Sequence, residues 1–220
     1  MTDQGPGSTW GNLPVPPDPF HWSADADKRL SRWLELVLAT PGLTAIDDPA
    51  EARAMLLEDA LRGIDVVAEF EGPIVDVGSG NGSPGIPLAA GLPDRRVTLL
   101  DSNRRKAAFL ERAAADFSNV DVVWGRAEEQ EPEQYDVAVA KALAPPPVAL
   151  EWLLPLVREG GAAVLWLAAS ADLSALTRVS EQLGGAPVEE RAGLAVARKI
   201  APTPAGFPRR PGVARKRPLS

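Results

Sequence analysis

The stretch Ile74-Val75-Asp76-Val77-Gly78-Ser79-Gly80-Asn81-Gly82-Ser83-Pro84-Gly85 decides the fold. Its first four residues are mostly β-branched and apolar, as a buried strand requires, and the glycines after them predict a tight turn into a helix. A second apolar run, Val97-Thr98-Leu99-Leu100, ends in Asp101, twenty-five residues after Asp76. A glycine turn lets a ligand approach the backbone because no Cβ stands in the way. The N-terminus of the helix that follows favours a negative group. An acid at the tip of the next strand can accept hydrogen bonds from both hydroxyls of a ribose, each worth roughly 1.5–3 kcal/mol. Together these parts predict a nucleoside-cofactor pocket on an α/β sheet.

Two templates fit the glycines. Gly80, Gly82 and Gly85 satisfy the dinucleotide fingerprint, with Asp101 at about the spacing it asks of an acid. Asp76, Gly78, Gly80 and Gly82 equally satisfy the acidic-x-G-x-G-x-G turn of class I methyltransferases. Pro84 and Pro87 lean toward the second, since a dinucleotide fold wants a straight helix there. On the turn alone both remain open.

Outward from this stretch, strand and helix patterns alternate, which predicts a mostly parallel sheet covered on both faces. Strands are expected near 73–77, 96–101, 120–124, 135–140 and 162–167, and helices near 84–91, 103–116, 145–158 and 171–183. Two further strands, near 187–191 and 194–200, predict an antiparallel edge hairpin around Ala192-Gly193. Before the sheet, Ser23 is placed to cap a helix with the stripe Leu30, Trp33, Leu34, Val37 and Leu38. Pro41-Gly42 ends it. Asp47 or Asp48 with Pro49 predicts a second helix to about Ala68, whose apolar face is interrupted by Asp59 and Arg62. The organisation expected is a Pro-rich leader over 1–22, N-terminal helices over 23–70, a cofactor-binding domain over 71–200 and a basic tail over 201–220.

The composition narrows the chemistry. There is no cysteine among the 220 residues, which excludes disulfides and thiolate metal sites. The one histidine, His21, lies in the Pro-rich leader, so neither a His base nor a His-rich metal site is expected. Nothing resembles a membrane span or a signal peptide, and a cytoplasmic protein is expected. Residues 191–220 carry eight Lys or Arg and no acid, leaving 15 basic against 30 acidic side chains before them. A basic tail on an acidic body suggests an anionic partner.

In a sheet of this kind ligands sit beyond the carboxyl ends of the strands. The loop after the third strand, Gly125-Arg126-Ala127-Glu128-Glu129, is placed to hold an adenine edge through backbone groups of Ala127 and Glu128. Lys141, at the exit of the fourth strand, is placed for a substrate or a cofactor carboxylate. Trp124 and Trp166 are expected in the core rather than as stacking surfaces.

Several segments, in order, resemble one family. Gly42-Leu43-Thr44-Ala45-Ile46 with Asp48-Pro49, the Pro84-Gly85-Ile86-Pro87 ending of the cofactor loop, Leu99-Leu100-Asp101-Ser102 followed by Arg105-Lys106, and Arg126-Ala127-Glu128-Glu129 are all similar to it. So is Pro208-Arg209-Arg210-Pro211-Gly212-Val213-Ala214-Arg215-Lys216-Arg217-Pro218-Leu219. The family is that of the bacterial 16S ribosomal RNA guanine-N7 methyltransferases, also called RsmG or glucose-inhibited division protein B. The resemblance covers about residues 42–219. It implies a class I, Rossmann-like methyltransferase fold, S-adenosylmethionine as cofactor and the 530 loop of small-subunit rRNA as substrate, with no metal and a monomeric enzyme expected. It also implies cofactor contacts at Gly78, Ser83, Ala127, Glu128 and Lys141, beside the turn residues Asp76, Gly80 and Gly82. Asp101 matches the ribose acid of the class. Lys141 is the catalytic candidate, and Arg209, Arg210, Arg215, Lys216 and Arg217 are the RNA-binding candidates.

The chain departs from the family's pattern mainly on the substrate side. Lysine replaces arginine at 141, and Leu56-Leu57-Glu58-Asp59-Ala60 keeps only the aspartate of an H-x-x-D-S element. The Lys-Gly pair after the fifth strand is replaced around Leu167-Ala168-Ala169. Two alternatives therefore stand beside the rRNA methyltransferase: a non-catalytic cofactor- or RNA-binding paralogue, and a small-molecule methyltransferase.

Overall fold

The computed structural model describes residues 23–167 and 171–220. The leader over 1–22 with His21, and the replaced Lys-Gly position at Ala168-Ala169, lie outside the described residues. Seven strands form one sheet: β1 (Ile74–Val77), β2 (Val97–Asp101), β3 (Val120–Trp124), β4 (Tyr135–Lys141), β5 (Val157–Trp166), β6 (Glu189–Arg191) and β7 (Leu194–Arg198). Their spatial order is β3-β2-β1-β4-β5-β7-β6. β1 to β5 pair in parallel, and β7 inserts antiparallel between β5 and β6. The chain reverses its direction of travel across the sheet between β1 and β4, the crevice where open α/β sheets hold ligands.

Period-two alternation divides the core in two. Ile74, Val97, Leu99, Val137, Val139 and Val164 face one layer of helices. Val75, Val77, Leu100, Ala138, Ala140 and Leu165 face the other. Burial of both faces explains why these strands read as continuous apolar runs rather than alternating ones. The first layer holds α1 (Ala24–Ala39), α2 (Pro49–Ala52), α3 (Asp59–Leu61), α4 (Ile64–Ala68), α5 (Gly85–Gly91) and α6 (Arg104–Ala113). The second holds α7 (Pro146–Leu153), α8 (Leu173–Gln182) and the C-terminal turn α9 (Val213–Lys216).

The caps are those that short polar side chains make. Ser23, Asp48, Asn103 and Asp172 accept backbone N–H groups at the starts of α1, α2, α6 and α8. The expected α1 stripe is buried at Leu30, Trp33, Leu34 and Val37 and half-buried at Leu38. Trp33 also ties α1 to the glycine loop, its indole N–H donating to the carbonyl of Asn81 at 2.8 Å.

Two helix expectations need correction. The continuous helix expected to Ala68 is interrupted: a π-helical turn, Arg53–Glu58, separates α2 from α3, and Gly63 separates α3 from α4. A Cβ at Gly63 would fall 2.5 Å from Trp166 Cζ2, so packing against β5 requires glycine at that break. The helix expected over 145–158 ends at Leu153, gives way to a 3-10 turn over Leu154–Leu156, and β5 starts at Val157. Pro155 is the cause, since it has no N–H to continue the helix by donating to the carbonyl four residues back.

Candidate cofactor site

The glycine turn is held by β1 and by its neighbour β2. Gly78 N–H donates to Leu100 O at 2.7 Å with φ at 71°. A Cβ at Gly78 would strike Leu143 Cδ1. The buried Asp76 carboxylate accepts Gly85 N–H through Oδ2 at 3.0 Å, which pins the start of α5 against β1. A side chain at Gly85 would displace that carboxylate, its Cβ falling 2.8 Å from Asp76 Oδ2. Burial pushes the Asp76 carboxyl up to about 7. The Gly85 N–H and the Lys141 charge pull the other way, and the Asp101 charge adds to the rise.

The helix N-terminus does not fulfil the anion-binding role expected of it. α5 has only seven residues, its first N–H is committed to Asp76, and Ile86 N–H is committed to Gly82 O at 2.7 Å.

Asp101 sits at the tip of β2, 5 % exposed. Its Oδ2 accepts Gly80 N–H at 2.9 Å and its Oδ1 accepts Asn103 N–H at 2.8 Å. Each carboxylate oxygen keeps a second acceptor site, so ligand hydroxyls can still be received.

Beside this turn opens a cavity of about 340 Å³. That is within the range of small-ligand sites, roughly 300–1,000 Å³. Val77, Gly78, Leu100 and Ser102 supply its wall from β1 and β2. Gly125, Arg126, Ala127 and Glu128 supply a second wall after β3. Residues Ala127–Glu129 form a 3-10 turn whose own bonds run from Glu129 N–H to Arg126 O and from Gln130 N–H to Ala127 O. The amides of Ala127 and Glu128 are not used by the turn. Leu143 and Trp152 line a third side, and the Trp152 indole N–H has no hydrogen-bond partner among the described residues. An orphan buried donor costs about 1–3 kcal/mol, which a ligand acceptor would relieve. Two unused amides and an orphan donor at the cavity, with Asp101 next in sequence to the lining residue Ser102, suit a nucleoside carrying ribose hydroxyls.

The remaining predicted site residues are dispersed around this cavity. Gly78, Ala127 and Glu128 line it, while Asp76 and Asp101 are buried and are not among its lining residues. Gly80 and Gly82 shape the turn, with φ of 59° and 101°. Ser83 points elsewhere, its Oγ donating to Leu56 O at 2.7 Å in the π-helical turn. Lys141 does not line the cavity. Its Nζ pairs with Asp59 Oδ2 at 2.6 Å and also donates to Met55 O. Asp59 in turn pairs with Arg62 at 2.8 Å. The π-helical turn thus receives both the cofactor-loop serine and the β4 lysine. The sequence signal for Asp59 was the carboxylate interrupting an apolar helix face.

The five RNA-binding candidates of the tail differ in their surroundings. Arg209 makes a two-pronged ion pair with Glu151, which is 2 % exposed on α7. The Arg215 guanidinium lies over the Trp152 ring, 5.2 Å from its centroid, and lines the cavity. Gly212 lines it too and donates its N–H to Glu128 Oε1 at 3.1 Å. Arg210, Lys216 and Arg217 remain exposed with no side-chain pair among the described residues. Lys199, upstream, is buried and donates to Leu183 O and Thr203 Oγ1, both at 2.8 Å, and burial pulls its pKa down to about 8. A fold that buries acids such as Glu151 can draw basic tail residues inward to match them.

Trp166 is buried as expected, with its N–H on Asp59 O at 2.9 Å. Trp124 is not: it ends the edge strand β3, 61 % exposed, under the guanidinium of Arg104. Edge position rather than residue type decided its burial. Among the described residues no helix is long and apolar enough to cross a membrane, and no group of three His, Cys, Asp or Glu is placed to hold a metal.

The model of the family described as rRNA small subunit methyltransferase G matches residues 27–183. A relative named ribosomal RNA small subunit methyltransferase G in Synechococcus sp. (strain JA-2-3B'a(2-13)) is 34% identical over 229 residues, covering 90% of this chain and 86% of that protein. One of the same name in Roseiflexus castenholzii is 38% identical over 195 residues, covering 80% and 83%. Among solved structures, a TehB-like SAM-dependent methyltransferase from Corynebacterium glutamicum superposes with a TM-score of 0.51 at 20% identity, covering 80% of this chain and 98% of that one. The sheet order and that likeness make the fold the class I, Rossmann-like methyltransferase fold. With a family match across most of its length and relatives spanning nearly all of it, the chain belongs to the rRNA small subunit methyltransferase G family.

Proposed function

We propose that this chain transfers a methyl group from S-adenosylmethionine to 16S rRNA, at guanine N7 in the 530 loop, acting as a cytoplasmic monomer on the small ribosomal subunit. The observation that carries this reading is the nucleoside-sized cavity at the exits of β1 to β4, with Asp101 next in sequence to its lining residue Ser102 and the Ala127 and Glu128 amides beside it. When bound, S-adenosylmethionine supplies an electrophilic methyl group on its sulfonium. Asp101 is suited to the ribose hydroxyls, and the walls of Val77, Leu100 and Ala127 to the adenine.

Guanine N7 carries a free lone pair, so no base has to remove a proton from it. The protein's task is then alignment, which can supply roughly 7–11 kcal/mol of a barrier. No His or Cys is needed for that. Lys141 is the candidate for holding the base or a neighbouring phosphate. An ammonium has three donors, and Asp59 and Met55 O occupy two. The third is left for the substrate, with its direction fixed by the other two. Arg210, Lys216 and Arg217 are the tail cations left to meet RNA phosphates.

The test is transfer of labelled methyl to 30S subunits and to naked 16S rRNA lacking the modification, with the labelled nucleotide mapped. Label on guanine N7 in the 530 loop is expected. Absence of label, with the cofactor bound, would overturn the reading in favour of a non-catalytic paralogue.

A further inference from the structure

The C-terminal segment borders the same cavity as the glycine turn, through Gly212 and Arg215. Its anchor is the buried Glu151 of α7, which takes both arms of Arg209. The same guanidinium donates to Arg217 O at 2.8 Å, so one residue ties the segment to the body and closes it on itself. Between these ties Ala214 is 2 % exposed, packed in the core of the α7 layer. Gly212, in the left-handed region at φ 82°, turns the backbone so that its N–H meets Glu128. Arg215 is laid over Trp152. Both Gly212 and Arg215 border the cavity.

A chain that only tracked RNA would gain nothing from a buried carboxylate partner. An ion pair with one member almost wholly buried is costly to form, and breaking it by removing one partner strands a charge. Such a pair fixes geometry, and what it fixes here is the cavity's outer side. We infer that the C-terminal segment is the outer wall of the cofactor cavity, with Gly212 and Arg215 as cofactor-site residues and Arg209–Glu151 as the clamp that positions them. The ligand class is the adenosine portion of the cofactor, so this inference rests on the cofactor reading above. A guanidinium is planar and weakly hydrated, and so makes a suitable wall for a flat heterocycle. Glu128 links the two sides, since it belongs to the adenine-side loop and accepts the tail's N–H. By linkage, whatever docks the tail tightens the cofactor, and the cofactor tightens the tail by the same factor.

The experiment uses the full chain and S-adenosylhomocysteine, the demethylated cofactor, titrated by calorimetry. R215A removes an exposed side chain and leaves the buried pair intact, so loss of affinity there is not unfolding. It is expected to raise Kd about three- to tenfold, the effect of losing one cation–aromatic wall contact. E151Q, which releases the clamp, is expected to raise Kd at least as much. R178A, an equal change of charge on the exposed face of α8, is expected to leave Kd unchanged. Trypsin cutting after Arg215, at the Arg215-Lys216 bond, should slow in wild type when S-adenosylhomocysteine is saturating. Equal Kd in wild type, R215A and E151Q, with no protection from trypsin, would overturn the inference while leaving the cofactor reading intact. Failure of wild type itself to bind would overturn the cofactor reading, and the inference with it.

Discussion

The glycine turn over residues 76–85 and the C-terminal segment over 207–217 flank the same cavity and are held by different means. The turn is fastened by bonds to adjacent structure: Gly78 to Leu100, Gly80 to Asp101, Gly85 to Asp76. The segment is fastened by side chains reaching far along the chain: Arg209 to Glu151 and Gly212 to Glu128. The turn is also backed by a helix, through Trp33 on Asn81. Damage to the turn should therefore unsettle the whole domain, whereas damage to the segment should open the cavity and leave the rest folded.

Three changes test that contrast. The largest effect is expected from Trp33→Ala. Trp33 is fully buried between α1 and the turn, and truncating a buried Trp costs about 3–5 kcal/mol. At about 2–4 °C per kcal/mol, a melting scan should show a fall near 10 °C. A fall under about 3 °C would mean that α1 does not brace the turn.

Next is the pH dependence of stability. Asp76 is held up to about 7 in the fold against an ordinary value of 3.8. The folded state therefore keeps a proton that the unfolded chain gives up. The stability this contributes is complete below about 3.8 and is lost as pH rises through about 7. It amounts to a few kcal/mol, on the order of 1.4 per pK unit. Chemical denaturation of wild type should show stability declining from pH 4 to 7 relative to Asp76→Asn, which keeps an acceptor for Gly85 but cannot titrate. Parallel curves for the two proteins would show that Asp76 ionises normally.

The smallest effect concerns the tail. Five phosphate-binding cations would give a salt slope of about −3.5 on single strands, at roughly −0.7 per phosphate. With Arg209 paired to Glu151 and Arg215 laid over Trp152, three remain without a partner among the described residues. Replacing Arg210, Lys216 and Arg217 together should flatten the slope of log K against log salt by about 2, measured by filter binding to 16S rRNA. No change in slope would place the RNA contacts elsewhere on the surface.

The parts of the site legible in the sequence were those whose meaning is local. A glycine needed for a positive φ, an acid at a strand tip and a capping Asp or Asn act within a few residues, so their pattern is visible in the chain order. The Lys141–Asp59 pair was not legible, because its members are 82 positions apart and meet only when α3 packs beside the exit of β4. Only half of that contact left a trace, the carboxylate on an apolar face. Pro155 is a helix stop visible in the sequence, but the apolar periodicity on both sides of it masks the break. The exposure of Trp124 followed from the position of β3 at the sheet's edge, which a single strand's composition does not encode.

The sequence by itself determined the sheet's alternating strands and helices, the glycine turn with Asp76 and Asp101, and the resemblance that named the family. These rest on backbone conformation and hydrophobic periodicity, which adjacent residues express directly. Only the tertiary structure decided where the charges went. A carboxylate buried on α7 drew Arg209 inward, Arg215 settled over Trp152, and Lys141 was claimed by Asp59. Coulombic partnership depends on distance in space and on the local loss of water, and neither is written in the order of the residues.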